Sequence, residues 1–168
     1  MNRENILFVI RLALTAVLLF LAVRTDIKSR KVLNKHTLPA ALAGLVLCFI
    51  GSWKEALVRI LIIAAEIFSS VFGLMGMGDL KLLIALTAIW GFYPVLVSLL
   101  AACLVMGLYA LVTNTSEFRL ALINIKNHFL YRTPLPVEGK TKYPFAVFIC
   151  AGFCLTLLLH HAGAIDVF

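Results

Sequence analysis

The sequence predicts an all-α polytopic membrane protein of about six transmembrane helices, and three observations carry that prediction. Hydrophobic residues make up 62% of the 168 residues, and the mean hydropathy is +1.04. Only 14% of residues are charged, against about 25% in a soluble domain. Positions 82–116 hold no charged residue, a stretch long enough for two crossings of about 17 residues. So few polar side chains could not cover the core of a water-soluble domain of this size. That excludes a soluble enzyme, a disordered tail and a secreted disulfide scaffold.

The expected spans follow from the apolar runs. The first covers 6–23 and is interrupted only by Arg11. Ala22-Val23-Arg24 offers no small-x-small cleavage site, so this span is expected to be retained. The second covers 38–53, with Pro39 at its start, where a missing N–H costs nothing. The third covers 57–75 and carries Arg59 and Glu66. Gly91-Phe92-Tyr93-Pro94 breaks the long uncharged stretch into spans at 82–90 and 94–112. The fourth is short unless it begins in the glycine-rich segment before it. The sixth covers 143–159. The whole chain, 1–168, reads as one membrane domain.

Charge then orients the spans. Between spans one and two lie five basic residues, between three and four lies Lys81, and 113–142 holds five more. These eleven face four on the other side: Arg3, Arg11, Lys54 and Arg59. The positive-inside rule places the eleven in the cytoplasm and both termini outside it. The segment 113–142 is then a cytoplasmic loop between spans five and six. The net charge of +7 is a topology signal, and with no interleaving of basic and aromatic residues no nucleic-acid partner is expected. Cys48, Cys103, Cys150 and Cys154 all lie in apolar runs without a Cys-x-x-Cys pair. Structural thiols are expected, and no metal.

Acidic residues near a span are costly and worth locating singly. Glu4, Glu55 and Asp166 fall on the non-cytoplasmic side, and Glu117 and Glu138 in the long loop. Asp26 and Asp79 both fall at cytoplasmic ends of spans. Asp79 follows Gly76-Met77-Gly78, where two glycines let the backbone leave helical geometry. One reading is a polar turn with a chance aspartate. The other is a carboxylate placed for use, since non-helical backbone at membrane depth lines protein or a wet cavity. Two carboxylates brought together share a proton. The ionised one can draw a proton from water while the protonated one polarises a scissile carbonyl.

Gly76-Met77-Gly78-Asp79-Leu80-Lys81 resembles the Gly-x-Gly-Asp-x-Lys motif of the type IV prepilin peptidases, membrane aspartyl proteases of the GxGD class. Asp26-Ile27-Lys28-Ser29-Arg30-Lys31-Val32-Leu33-Asn34 is similar to that family's other catalytic stretch, an aspartate followed by a basic run and an Ile-Pro-Asn-like element. Leu33 stands where the family often has proline. Tyr143-Pro144-Phe145-Ala146-Val147-Phe148 resembles the Pro-Phe start of the family's last span. The larger members carry a cytoplasmic insertion with paired Cys-x-x-Cys motifs, linked to methylation, and this chain has none. It resembles the short, peptidase-only branch that serves Flp or tight-adherence pili, and the archaeal preflagellin peptidases.

The resemblance implies an aspartic endopeptidase with Asp26 and Asp79 as catalytic residues and Gly76 and Gly78 as motif backbone. It implies a prepilin or pseudopilin substrate, the inner membrane of a prokaryote, cleavage at the cytoplasmic face, and no cofactor. Lys28 and Lys81 each follow one of these aspartates by two residues; they are expected to anchor topology, the alternatives being to bind anionic lipid or to tune the pair. His160 and His161 are expected at the far interface. A second class stays open: a non-enzymatic scaffold or transporter-like subunit of a pilus or secretion assembly, whose intramembrane charges would mark an ion path. Lastly, Arg11 is 15 residues before Asp26 and Glu66 is 13 before Asp79, about 22 and 20 Å at ~1.5 Å per residue. Similar depth predicts an Arg11–Glu66 ion pair joining spans one and three.

Overall fold

A computed structural model describes residues 3–29, 32–71, 77–113 and 144–168, with Thr115, Ser116, Arg119 and Ile123 between the last two ranges. Gly76 and most of the expected 113–142 loop lie outside the described residues. The described residues form six α-helices: α1 Arg3–Ser29, α2 Asn34–Gly51, α3 Trp53–Val71, α4 Met77–Trp90, α5 Phe92–Thr113 and α6 Phe145–His161. Two stretches, Glu4–Ser29 and Phe92–Thr113, are long and apolar enough to cross a membrane.

Several boundaries differ from the hydropathy reading, for local reasons. α1 continues past Val23 to Ser29, so Asp26 lies on its last turn and not in a loop beyond it. Thr25 Oγ1 donates to the Leu21 and Ala22 carbonyls, and Ser29 Oγ donates to that of Thr25. These are back-bonds of hydroxyls onto carbonyls of the preceding helical turn, within α1. α2 starts at Asn34, and the His36 and Thr37 amides bond to the Leu33 carbonyl. Pro39 therefore sits inside α2 and not at its start. α2 and α3 are separated by Ser52 alone. α4 does begin in the glycine-rich segment, at Met77, and ends at Trp90. Gly91 makes the break before α5 with φ 91°, a conformation open to glycine and strained for other residues.

α4 is apolar on every side, the pattern of a helix buried all round. Leu82, Leu83 and residues 85–90 are all buried, and α4 touches each of the other five helices. Two close approaches hold the bundle. A Cβ on Gly44 of α2 would lie 2.8 Å from the Ala88 carbonyl carbon and the Ile89 nitrogen of α4. A Cβ on Gly152 of α6 would collide with the Ser98 carbonyl oxygen and lie 2.6 Å from the Ala102 nitrogen of α5. Small residues of this kind let helix backbones come together closely.

Polar side chains tie α4 to its neighbours. The Trp90 indole N–H donates to Thr15 Oγ1 of α1 at 2.7 Å. Arg59, counted above only as a basic residue of span three, is buried on α3 and donates through Nη1 to the Ala88 and Ile89 carbonyls at 3.1 and 2.8 Å. Its charge thus meets the negative end of the α4 dipole. The Arg11–Glu66 pair is not among the ion pairs of the described residues. Glu66 accepts a hydrogen bond from Thr87 Oγ1 at 2.8 Å, and Arg11 reaches toward Gly51 of α2. Equal depth along two helices does not make them neighbours, because α4 packs against both α1 and α3.

Candidate active site

Three helix ends meet around Asp26: the last turn of α1 and the first turns of α4 and α6. Asp26 is buried at 8% exposure, and its Oδ2 accepts the Ala146 N–H of α6 at 3.0 Å. α6 needs that acceptor. Its N-cap residue is Pro144, which offers no side-chain cap bond, and the first amides of a helix have no partners within it. The Val147 N–H turns back to the Pro144 carbonyl at 3.2 Å.

Asp79 stands on the first turn of α4, ahead of the apolar run that begins at Leu82. Burial pushes its carboxyl up to about 6, and the negative charge of Asp26 adds to the rise. The two carboxylates, 53 residues apart in the chain, therefore lie in one another's field. The start of α4 lies beside the segment after α1: a Cβ on Gly78 would be 3.8 Å from the Val32 amide nitrogen and Cγ2, an ordinary van der Waals contact. Lys28 is exposed and Lys81 half-buried, and neither forms an ion pair among the described residues.

The raised Asp79 couples protonation to folding. Because its folded value of about 6 lies above the ordinary 3.8, the folded state holds this proton more tightly than the unfolded chain. That stabilising contribution is complete below 3.8 and is lost as pH rises through about 6. Thermal melting of the purified chain in detergent should show this decline between those values. In D79N it should disappear, and an unchanged slope in D79N would assign it to another group.

A cavity of about 380 Å³ lies at the other end of α4, against Lys54, Glu55, Arg59, Gly91 and Tyr93. It does not include either aspartate. Among the described residues no group of three or more His, Cys, Asp and Glu could hold a metal ion. His160 lies beside Asp166 at 3.9 Å and stacks edge-on to Phe168, away from the three helix ends that gather at Asp26.

The sequence model of the type IV leader peptidase family matches residues 12–111, more than half of the chain, and includes both aspartates. The chain belongs to the type IV leader peptidase family. Membership makes it a leader-peptidase-like protease of a membrane protein family, in keeping with its two long apolar helices. No curated protein and no solved structure matches the chain. One group of the site has no side-chain signature in the sequence: the backbone amide of Ala146. The Tyr143-Pro144-Phe145 stretch marks its neighbourhood but not the bond it makes.

Proposed function

We propose that this chain is an aspartic endopeptidase that removes the leader peptide of type IV prepilin-like proteins, with Asp26 and Asp79 as its catalytic pair. The observation that carries this reading is that, in a chain of the leader peptidase family, the last turn of α1 with Asp26 and the first turn of α4 with Asp79 lie at one end of the bundle. Such a pair holds one proton at moderate pH. Its ionised member takes a proton from a water molecule, whose oxygen bonds to the scissile carbonyl carbon. Its protonated member gives its proton to the carbonyl oxygen, which becomes a hydroxyl of the gem-diol intermediate and returns that proton as the intermediate collapses. The C–N bond then breaks, and the proton taken from water passes to the leaving nitrogen. Gly78 lies in the first turn of α4 next to Asp79, Gly76 is the other glycine of the motif, and Lys28 and Lys81 are the cations two residues beyond each aspartate. No cofactor enters this sequence of steps.

In this reading the six helices all cross the inner membrane of a prokaryote, and both termini lie outside the cytoplasm. The eleven-to-four division of basic residues supports that orientation, and it puts Asp26 and Asp79 on the cytoplasmic side. A substrate would present a short basic leader there, followed by its hydrophobic helix. The test is incubation of the purified chain in detergent with a leader-bearing, pilin-like substrate, the products being sized and sequenced. A single cut at the junction of leader and helix is expected. A substrate left whole by correctly folded protein would overturn the assignment.

A further inference from the structure

The two aspartates are not equivalent in their surroundings. Asp26 Oδ2 accepts the buried Ala146 amide at 3.0 Å, at the positive end of the α6 dipole. Among the described residues no hydrogen bond to Asp79 accompanies it. Among the described residues, the other charged groups near the junction do not restore the balance. Arg24 and Lys28 of α1 and Lys35 of α2 are exposed, while His36 of α2 and Lys81 of α4 are half-buried. None of these forms an ion pair with either aspartate, and the first turn of α6 has no acidic side chain.

Resting on the dyad reading above, we propose that the first turn of α6 assigns the two catalytic roles, with the Ala146 amide as the positioning group that holds Asp26 as the base and leaves Asp79 as the acid. An amide aimed at one oxygen fixes the Asp26 carboxylate in orientation, so its other oxygen faces the water. It also favours negative charge there over negative charge on Asp79. Asp26 then takes the proton from the attacking water and later delivers it to the leaving nitrogen. Asp79 donates its proton toward the carbonyl oxygen and recovers it as the tetrahedral intermediate collapses. Desolvation of Asp79 works in the same direction. Pro144 contributes by lacking any side-chain cap of its own, which keeps the α6 amide available to another helix.

The direct test replaces the amide between Phe145 and Ala146 with an ester in the full chain, by nonsense suppression with lactic acid at 146. The shape is kept and the donor is lost. The expected result is a kcat lower by roughly ten- to a hundredfold, as for loss of a hydrogen bond to a charged group, with KM unchanged. The acid limb of the pH–rate profile should move to higher pH, which a purely structural role of the amide would not cause. An unaltered kcat and acid limb would overturn the proposal. Infrared difference spectra of the purified chain provide a second measurement that does not need the ester. At mildly acidic pH the protonated-carboxyl band should survive in D26N and vanish in D79N. The reverse pattern sinks the role assignment while leaving the dyad intact. Full cleavage by both asparagine variants sinks the dyad itself.

Discussion

Asn in place of either Asp26 or Asp79 is expected to lower kcat by about 10²–10⁴-fold, the usual contribution of a positioned acid or base. Asparagine keeps the size of aspartate, and in D26N its carbonyl oxygen can still accept the Ala146 amide that Asp26 now accepts. The helices should therefore remain assembled, which thermal melting of each variant checks. What asparagine cannot do is take a proton from water or give one to a carbonyl oxygen. The double variant should be hardly slower than either single one, because residues that act as a unit lose their effect together. The readout is single-turnover cleavage of a leader-bearing substrate. A variant that keeps most of its cleavage would remove that aspartate from the chemistry and favour the scaffold or transporter class.

The largest effect on stability is expected at Gly152. The atoms that a Cβ would meet there are backbone: the Ser98 carbonyl oxygen, the Ala102 nitrogen at 2.6 Å and the Ala102 Cα at 2.9 Å. Backbone in a packed helix has no rotamer through which to yield, so α5 and α6 must move apart. Overpacking of this kind costs about 1–3 kcal/mol even where side chains can adjust. G152A should reach the upper end of that range and lower the melting temperature, and a larger residue should prevent assembly. G107A is the matched control. Gly107 is likewise inside a helix, α5, but nothing lies within 4 Å of its Cβ position, so the change should be neutral or mildly stabilising through helix propensity. Equal melting of G152A and G107A would mean that the α5–α6 approach is looser than described.

Individual side chains were more legible in the sequence than their neighbours. Asp26 and Asp79 stand out because an acidic residue at the end of an apolar run is rare and carries a cost. Gly91 stands out because it interrupts a long uncharged stretch. Arg59 does not, since the carbonyls it caps lie 29 and 30 residues further on, and a charge tally records a cation without its acceptor. The Arg11–Glu66 expectation rested on the cost of an unpaired charge inside a span and on similar depth. Depth is a property of one helix, whereas lateral order is set by which helices can approach, as at Gly44 with Ala88 and Gly152 with Ser98. The Ala146 amide has no side-chain signal, and only the placement of α6 against α1 reveals its partner.

Among the described residues α5 packs along α6 and α2 along α4, and α1 and α4 bridge these two helix pairs. Asp79 rides on the α2–α4 side, whereas Asp26 is tethered by its carboxylate to the α5–α6 side. The distance between the two charges is therefore set by how the two pairs seat against each other, and not by the geometry of any single helix. A shift of one pair against the other would leave every backbone bond within the helices intact and still change the field that each carboxylate feels, because the interaction between charges varies inversely with their separation. On the dyad reading proposed above, cleavage rate would report that seating, and a substrate helix wedged between the pairs would slow the chemistry without unfolding anything.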